Sequence, residues 1–529
     1  MPFATSHTVS LTGALGHLID VQADVSPGHV ATVLVGRPDA SLSESRDRCR
    51  MAILNSGFDW PSSRRTTILL SPADLPKRGT HYDLAIAVAV LGATGIVPAA
   101  AVQGVVLIGE LTLAGGLRSV PGVLPMVMSA AQRGFRHVVV PEPQAHEAAM
   151  VPGVEVLGMR SLAQVVAELR DEPVPEAPPV VPMSSSRLLS WRGADRMDEV
   201  DLADLTGMEE TRFAIELAAA GGHHILLSGP KGSGKTSIAE RIPGLLPDLS
   251  REEALELTAV HSLAGALEPG DGLLTRPPFA APHHDASTSS LVGGGTGTVR
   301  PGEISRAHCG VLLLDEFPLF RADVINALRQ PLESGEISVA RAEESVVLPA
   351  RSIVVLAANP CPCGDFHADA SLDRCKCREV QRRDYRRKVT GPITDRIDIT
   401  RHLTAVTPTA ARDPLAVRES SSTVRQRVTA ARERQTERYR GEAWRLNGHV
   451  PGHVLTARWP LTDAAAALVD DQLWKGRLTR RGVTRVHRLA WTVADLAGVD
   501  RPGLAEADTA LRLRAGEPLL VAALRKVAG

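Results

Sequence analysis

Cysteine is scarce in this chain, six in 529 residues, and four of the six crowd into residues 361–377. That distribution excludes a disulfide-framed secreted scaffold and points to a reducing compartment. Long apolar runs are missing as well. No stretch reaches the ~18 uninterrupted apolar residues of a membrane span, and the opening MPFATSHTVSLTG has neither the basic nor the apolar segment of a secretory leader. A cytoplasmic protein without a membrane partner is expected. Charge of one sign is also lacking. With 59 Lys and Arg against 60 Asp and Glu the net charge is −1, so affinity for nucleic acid has to come from local basic patches. What remains is an ordinary globular composition, 44% hydrophobic and 22% charged, in a chain long enough for two to four domains.

The most informative stretch is 223–247, HHILLSGPKGSGKTSIAERIPGLLP. Ile225-Leu226-Leu227 reads as a short buried strand, followed by Gly-x4-Gly-Lys-Thr and a helix-compatible segment. This is the context in which a phosphate loop works. Its glycines let backbone N–H groups curl around phosphate oxygens, and the helix N-terminus adds partial positive charge. The candidate nucleotide contacts are Gly229, Pro230, Lys231, Gly232, Ser233, Gly234, Lys235, Thr236 and Ser237. Lys235 can reach the β- and γ-phosphates of a nucleoside triphosphate, and the Thr236 hydroxyl can ligate Mg2+. Downstream, Gly310-Val-Leu-Leu-Leu-Asp315-Glu316 is a buried strand ending in two carboxylates. Asp315 is expected in the magnesium shell and Glu316 is expected to polarise the attacking water. A further apolar strand over 353–358 ends at Asn359, a polar residue suited to orienting water beside the γ-phosphate. Arg396, between Asp395 and Asp398, reads either as a surface ion pair or as an arginine finger for a neighbouring subunit's nucleotide.

Residues 1–170 alternate strand-like runs (31–35, 67–70, 105–107, 137–140) with helical windows (83–91, 125–132), an α+β pattern. The segment Gly109–Arg118 and the later Gly134–Pro141 resemble the proteolytic domain of Lon proteases, whose fold is ribosomal-protein-like. In that pattern the serine position falls on His81 and the lysine position on Leu124, so the Ser–Lys dyad is missing. Thr80 is a substitute nucleophile without a base. A non-catalytic relative of the protease fold is expected here. Residues 171–197 form a Pro- and Ser-rich linker with five prolines in 171–191. Residues 198–405 carry the nucleotide machinery, and 406–529 read as helical, with amphipathic windows over 424–444, 464–474 and 486–496.

Cys361-x-Cys363 and Cys375-x-Cys377 offer four thiolates for a tetrahedral zinc site. Four reduced thiols in a loop are the plain alternative, and the one-residue gaps are tighter than usual. The overlapping stretch 374–388 carries eight basic and two acidic residues, a feature suited to phosphate backbone or simply to a solvated charged helix.

Taken in order, the phosphate loop, Arg276–Ser287, Arg300–Ile304, Val311–Glu316, Leu328–Glu333, Asn359-Pro-Cys-Pro-Cys-Gly364 and Asp395–Asp398 resemble the ComM/YifB family, magnesium-chelatase-like AAA+ ATPases of bacteria. The resemblance covers nearly the whole chain. It departs at Gly207-Met208 and at Pro392-Ile-Thr-Asp-Arg396, where Gly-Gln and Pro-Leu-Leu-Asp-Arg are more usual. It implies an α/β P-loop core with an α-helical lid behind a Lon-protease-like domain, a homo-hexameric ring, ATP turnover and a DNA helicase that promotes branch migration. It also implies a lid arginine contacting the γ-phosphate in cis, at Arg481 by register or else Arg485. A protein-remodelling or metal-chelatase ATPase without DNA translocation is the alternative. A chelatase ATPase subunit normally lacks the Lon-like domain.

Overall fold

β1 (Phe3–Thr12) and β2 (Leu15–Ser26) alternate inward and outward side chains and pair antiparallel around Gly13, whose φ of +63° suits a tight turn. With β3 (Ala31–Val35), β4 (Arg65–Ser71), β5 (Val105–Leu107), β6 (His137–Pro141) and β7 (Glu155–Met159) they make a mixed sheet ordered β3-β4-β2-β1-β5-β6-β7. The helix α1 (Asp83–Ala93) is buried at every position, as its apolar composition all round requires. α2 (Val123–Gln132) covers part of the sheet with buried Val123, Leu124, Met126 and Val127. The computed structural model describes residues 3–36, 40–75, 77–181, 200–295, 299–340, 345–366, 373–389, 393–404 and 418–520.

Most of the expected linker, from 182 onward, lies outside the described residues. Its first part is less free than composition suggested. Val180 packs into the core of the N-terminal sheet, and the carbonyls of Pro175 and Ala177 accept hydrogen bonds from Gln164 (2.8 Å) and Arg160 (3.2 Å).

The second sheet is all parallel. β8 (Ile225–Ser228), β9 (Phe279–Ala280), β10 (Val311–Leu314), β11 (Ile353–Ala358) and β12 (Ile399–His402) run in the order β9-β10-β11-β8-β12. Because side chains alternate along a strand, each strand divides its residues between two apolar clusters. Ile225, Leu227, Val311, Leu313, Val355 and Ala357 join one cluster. Leu226, Leu312, Leu314, Val354, Leu356 and Ala358 join the other. The first cluster is completed by α3 (Glu209–Gly221) and by helices from the C-terminal third. α4 (Arg251–Ala264), opened by a Ser250/Glu253 capping box, runs beside α2, and Gly122 N–H donates to Ser262 O (3.2 Å). α5 (Glu379–Val389) follows the cysteine-rich loop.

The C-terminal third is built from α6 (Ser421–Arg438), α7 (Asp463–Trp474), α8 (Arg480–Ala497) and α9 (Leu504–Ala515). The helix expected over 424–444 stops at Arg438. The chain turns at Gly441 (φ +81°), and residues 442–450 fold back over the core as a loop. The Tyr439 hydroxyl pins that loop by donating to Asn447 Oδ1 (2.7 Å).

Candidate nucleotide-binding site

Three strands of the parallel sheet end at one edge, where open α/β sheets bind ligands. β8 runs into the Gly-rich loop, β10 into Asp315-Glu316 and β11 into Asn359. Gly232 (φ +79°) and Gly234 (φ +82°) take the left-handed backbone that curls N–H groups inward. A Cβ on Gly229 would stand 2.7 Å from the Leu403 carbonyl. Ser233 N–H donates to Pro230 O (3.2 Å), and Ser237 O accepts from Arg241 (2.8 Å). Met208 packs its methyl group against Gly234, so the departure from Gly-Gln places an apolar side chain at the loop.

Lys235 Nζ lies over this loop, donating to Gly229 O and Pro230 O (2.9 Å each). Burial lowers its pKa, and Asp315 and Glu316 partly oppose that. Thr236 Oγ1 donates to Asp315 Oδ2 (2.7 Å), so the hydroxyl and carboxylate expected to share a magnesium ion stand side by side. This all-oxygen, part-anionic pair fits Mg2+. Glu316 adopts φ +50°, a left-handed backbone uncommon outside glycine, and its N–H donates to Asp315 Oδ1 (2.9 Å). His284 Nδ1 stands 3.8 Å from Glu316 Oε2. Sequence reasoning quoted His284 only within a motif and gave it no role.

Asn359 borders the same loop through Gly364, whose Cα faces the Asn359 amide and the Lys231 side chain. Lys231 N–H donates to Gly364 O (3.3 Å), so the cysteine loop and the phosphate loop are joined by backbone. Buried Tyr385, from α5, hydrogen-bonds the Asn359 backbone, and burial pushes its phenol up to about 12. The four thiols converge. Cys361 and Cys363 sulfurs are 3.3 Å apart, and Cys375 is 3.6 Å from each. With Cys377 they all lie within 4.8 Å of one another. A zinc–sulfur distance of about 2.3 Å sets tetrahedral edges of about 3.8 Å, so the cluster fits that ion. The backbone N–H of Asp365 helps draw the Cys363 thiol down to about 6.

Arg396 and Arg481 meet on one carboxylate. Arg396 Nη2 is 2.8 Å and Arg481 Nη1 3.6 Å from Glu333 Oε1. Arg481, expected to contact the γ-phosphate in cis, thus stands beside Arg396, and sequence reasoning missed Glu333 as their common partner. Arg485 is committed elsewhere. It donates to buried Asp398 (2.6 Å), which also accepts from His224 N–H (3.0 Å). Of the basic stretch 374–388, Arg382 and Arg386 lie over the Phe366 ring at 4.9 Å, and Lys388 donates to Pro318 O (2.9 Å). Part of that charge is thus spent on local contacts.

In the N-terminal sheet His81 is buried with Nε2 3.0 Å from Val9 O, and Leu124 is fully buried on α2. Thr80 does have a carboxylate partner, Glu110, contrary to the expectation that it lacked a base. Glu110 also pairs with Arg118 (3.5 Å).

Comparison with known proteins matches three family profiles along the chain: subunit ChlI of Mg-chelatase over 21–144, magnesium chelatase subunit ChlI over 201–411, and its C-terminal part over 418–514. An uncharacterized protein of Mycobacterium tuberculosis is 44% identical over 97% of this chain and 99% of its own length. Protein YifB of Escherichia coli is 37% identical over 98% and 99% respectively. Competence protein ComM of Haemophilus influenzae is 36% identical over 96% and 97%.

Proposed function

The chain belongs to the magnesium-chelatase-like AAA+ family that includes YifB and ComM, and from that premise we propose that it is an ATP-driven ring motor acting on DNA. The coarser statement, an AAA+ ATPase with a P-loop α/β core, follows from the family itself. The finer reading is a homo-hexameric, ComM-like helicase that promotes branch migration on single-stranded or branched DNA in the cytoplasm. In this reading 1–170 is a Lon-protease-like domain used for contacts, 171–197 a linker, 198–405 the motor core and 406–529 its helical lid.

Lys235 and the loop N–H groups bind the phosphates of ATP, and Thr236 and Asp315 hold Mg2+, which neutralises charge on the phosphoryl oxygens. Glu316 polarises the attacking water and Asn359 orients it. The observation that carries the ring is the gathering of Arg396 and Arg481 on Glu333. Two permanently charged guanidiniums on one face suit the nucleotide of a neighbouring subunit, so both are assigned to act in trans.

Arg396→Ala should leave ATP affinity nearly intact and lower hydrolysis roughly 10³-fold or more. Mixing Arg396→Ala with Lys235→Ala subunits restores partial turnover, because some interfaces then pair an intact loop with an intact finger. A mixed oligomer without complementation removes the trans assignment. DNA should raise the wild-type rate, with stimulation falling steeply as salt increases. A rate indifferent to every DNA at low salt favours the remodelling or chelatase-type ATPase instead.

A further inference from the structure

At the edge of the parallel sheet opposite the phosphate loop, the loop 442–450 roofs a cavity of about 230 Å3. Its wall is unusual in charge. Arg432, from α6, spends Nε and Nη2 on the Ala219 carbonyl (3.0 and 2.7 Å), and its Nη1 has no hydrogen-bond partner among the described residues. Arg488, from α8, spends only Nε, on Val450 O (2.9 Å), so both of its Nη groups are unpartnered in the same sense. Neither guanidinium has a carboxylate within salt-bridge distance among the described residues.

The remaining lining adds donors. His224 Nδ1 accepts from Val354 N–H (3.2 Å), which places its proton on Nε2 as a donor. Trp444 Nε1 is a buried N–H without a partner among the described residues. Two acids reach the wall, and both are engaged elsewhere: Glu253 caps α4 at Ser250 N–H (3.0 Å), and Glu333 holds Arg396 and Arg481. At the rim Arg351 and Arg445 pair with Glu256 and Glu252. Two half-buried cations on the cavity wall therefore lack a direct ion-pair partner among the described residues, with Glu253 and Asp398 acting on them only from a distance.

We propose that this cavity is a binding site for a small phosphate-type oxyanion, gripped between Arg432 and Arg488. The donors present several N–H groups and no free carboxylate, which matches a multiply charged acceptor. The volume is below the ~300–1,000 Å3 typical of pockets for drug-sized ligands, so a whole nucleotide is excluded. Burial supports the same polarity. It holds His224 down at about 4, so that ring is neutral and adds no competing titration near pH 7. Arg432 and Arg488, lowered to about 10, stay charged there.

The test uses the full chain with inorganic phosphate as probe, against chloride at equal ionic strength. Phosphate also stabilises proteins by exclusion from their surface, so the informative quantity is the saturable difference between variants. Lys235→Ala, which weakens phosphate binding at the Gly-rich loop, should keep a saturable rise in melting temperature, and the arginine substitutions are read in that background. Arg432→Gln and Arg488→Gln should bind phosphate at least tenfold more weakly. A shift that vanishes in Lys235→Ala and survives both arginine substitutions would assign the anion to the phosphate loop and overturn the proposal, as would no saturable shift at all. Should the arginine variants not fold, fluorescence decides. Phosphate should change the tryptophan emission of wild type and not that of Trp444→Phe, and an equal change in both refutes the site.

Discussion

Replacing Asp398 by asparagine removes one charge from a deeply buried ion pair that joins the ATPase core to α8. Asp398 is 1% exposed, accepts from Arg485 (2.6 Å) and His224 N–H (3.0 Å), and has His223 Nδ1 at 3.7 Å. Burial alone raises its pKa, but Arg485 and the two histidines outweigh it and hold the group well below the usual carboxylate range. The asparagine side chain keeps the shape and one acceptor while leaving the Arg485 charge, 10% exposed, without a counter-charge. Breaking such a pair costs about 3–5 kcal/mol, and retention of the backbone hydrogen bond puts this case at about 3. At ~2 °C per kcal/mol for a unit of this size, the apparent melting temperature drops by about 6 °C. Differential scanning fluorimetry reads it directly. The double variant with Arg485→Met removes the orphaned cation and should recover at least half the loss. The sign with pH follows from the depressed pKa. The contribution is fully present above the unfolded value of about 3.9 and is lost only as pH falls through the lower folded value, so the wild-type advantage over Asp398→Asn should be flat between about pH 5 and 8. A loss below ~1 kcal/mol, or a double variant no better than the single, refutes the reasoning.

Glu316→Gln should retain ATP binding and stop turnover, since the water loses its polarising carboxylate; undiminished hydrolysis by that variant removes Glu316 from the role. Elemental analysis after purification without added metal should give one zinc per chain held by Cys361, Cys363, Cys375 and Cys377, and a metal-free protein with full ATPase activity would leave four plain thiols. The wild-type protein should leave unfolded casein intact with ATP present. Casein cleavage that copurifies with the protein and is abolished by Thr80→Ala would give the Thr80–Glu110 pair a catalytic role after all.

The parts of the site most legible in the sequence are those whose chemistry is local. The phosphate loop needs glycines at fixed offsets from a lysine, and β10 needs only four apolar residues ahead of Asp315, so both declare themselves within a dozen residues. The lid arginine was different. Arg481 and Arg485 are one helical turn apart on α8, hence on the same face, and periodicity gives no means of separating them. Depth decides: Arg485 is buried against Asp398, and Arg481, near the helix start, remains 62% exposed beside Glu333. Glu333 itself was invisible as a partner because the groups it joins come from distant segments. The oxyanion cavity escaped notice for the same reason, and also because an arginine in a charged helix such as α6 reads as solvated until the loop 442–450 is seen to cover it.

The order of strands in the parallel sheet sets a schedule for the nascent chain. β8 carries the phosphate loop and lies between β11 and β12, yet it leaves the ribosome before either neighbour. His224, at its head, meets Val354 across 130 residues and Asp398 across 174. Closing loops of that length is slow, and until it happens an apolar strand with both edges open is a hazard for aggregation. ATP cannot rescue an early intermediate, because the loop is shaped by Gly364 and Leu403, which arrive with those late strands. Nucleotide binding is thus expected only after translation has passed residue 403, so that ATP would stabilise the finished ATPase core and not the half-made one.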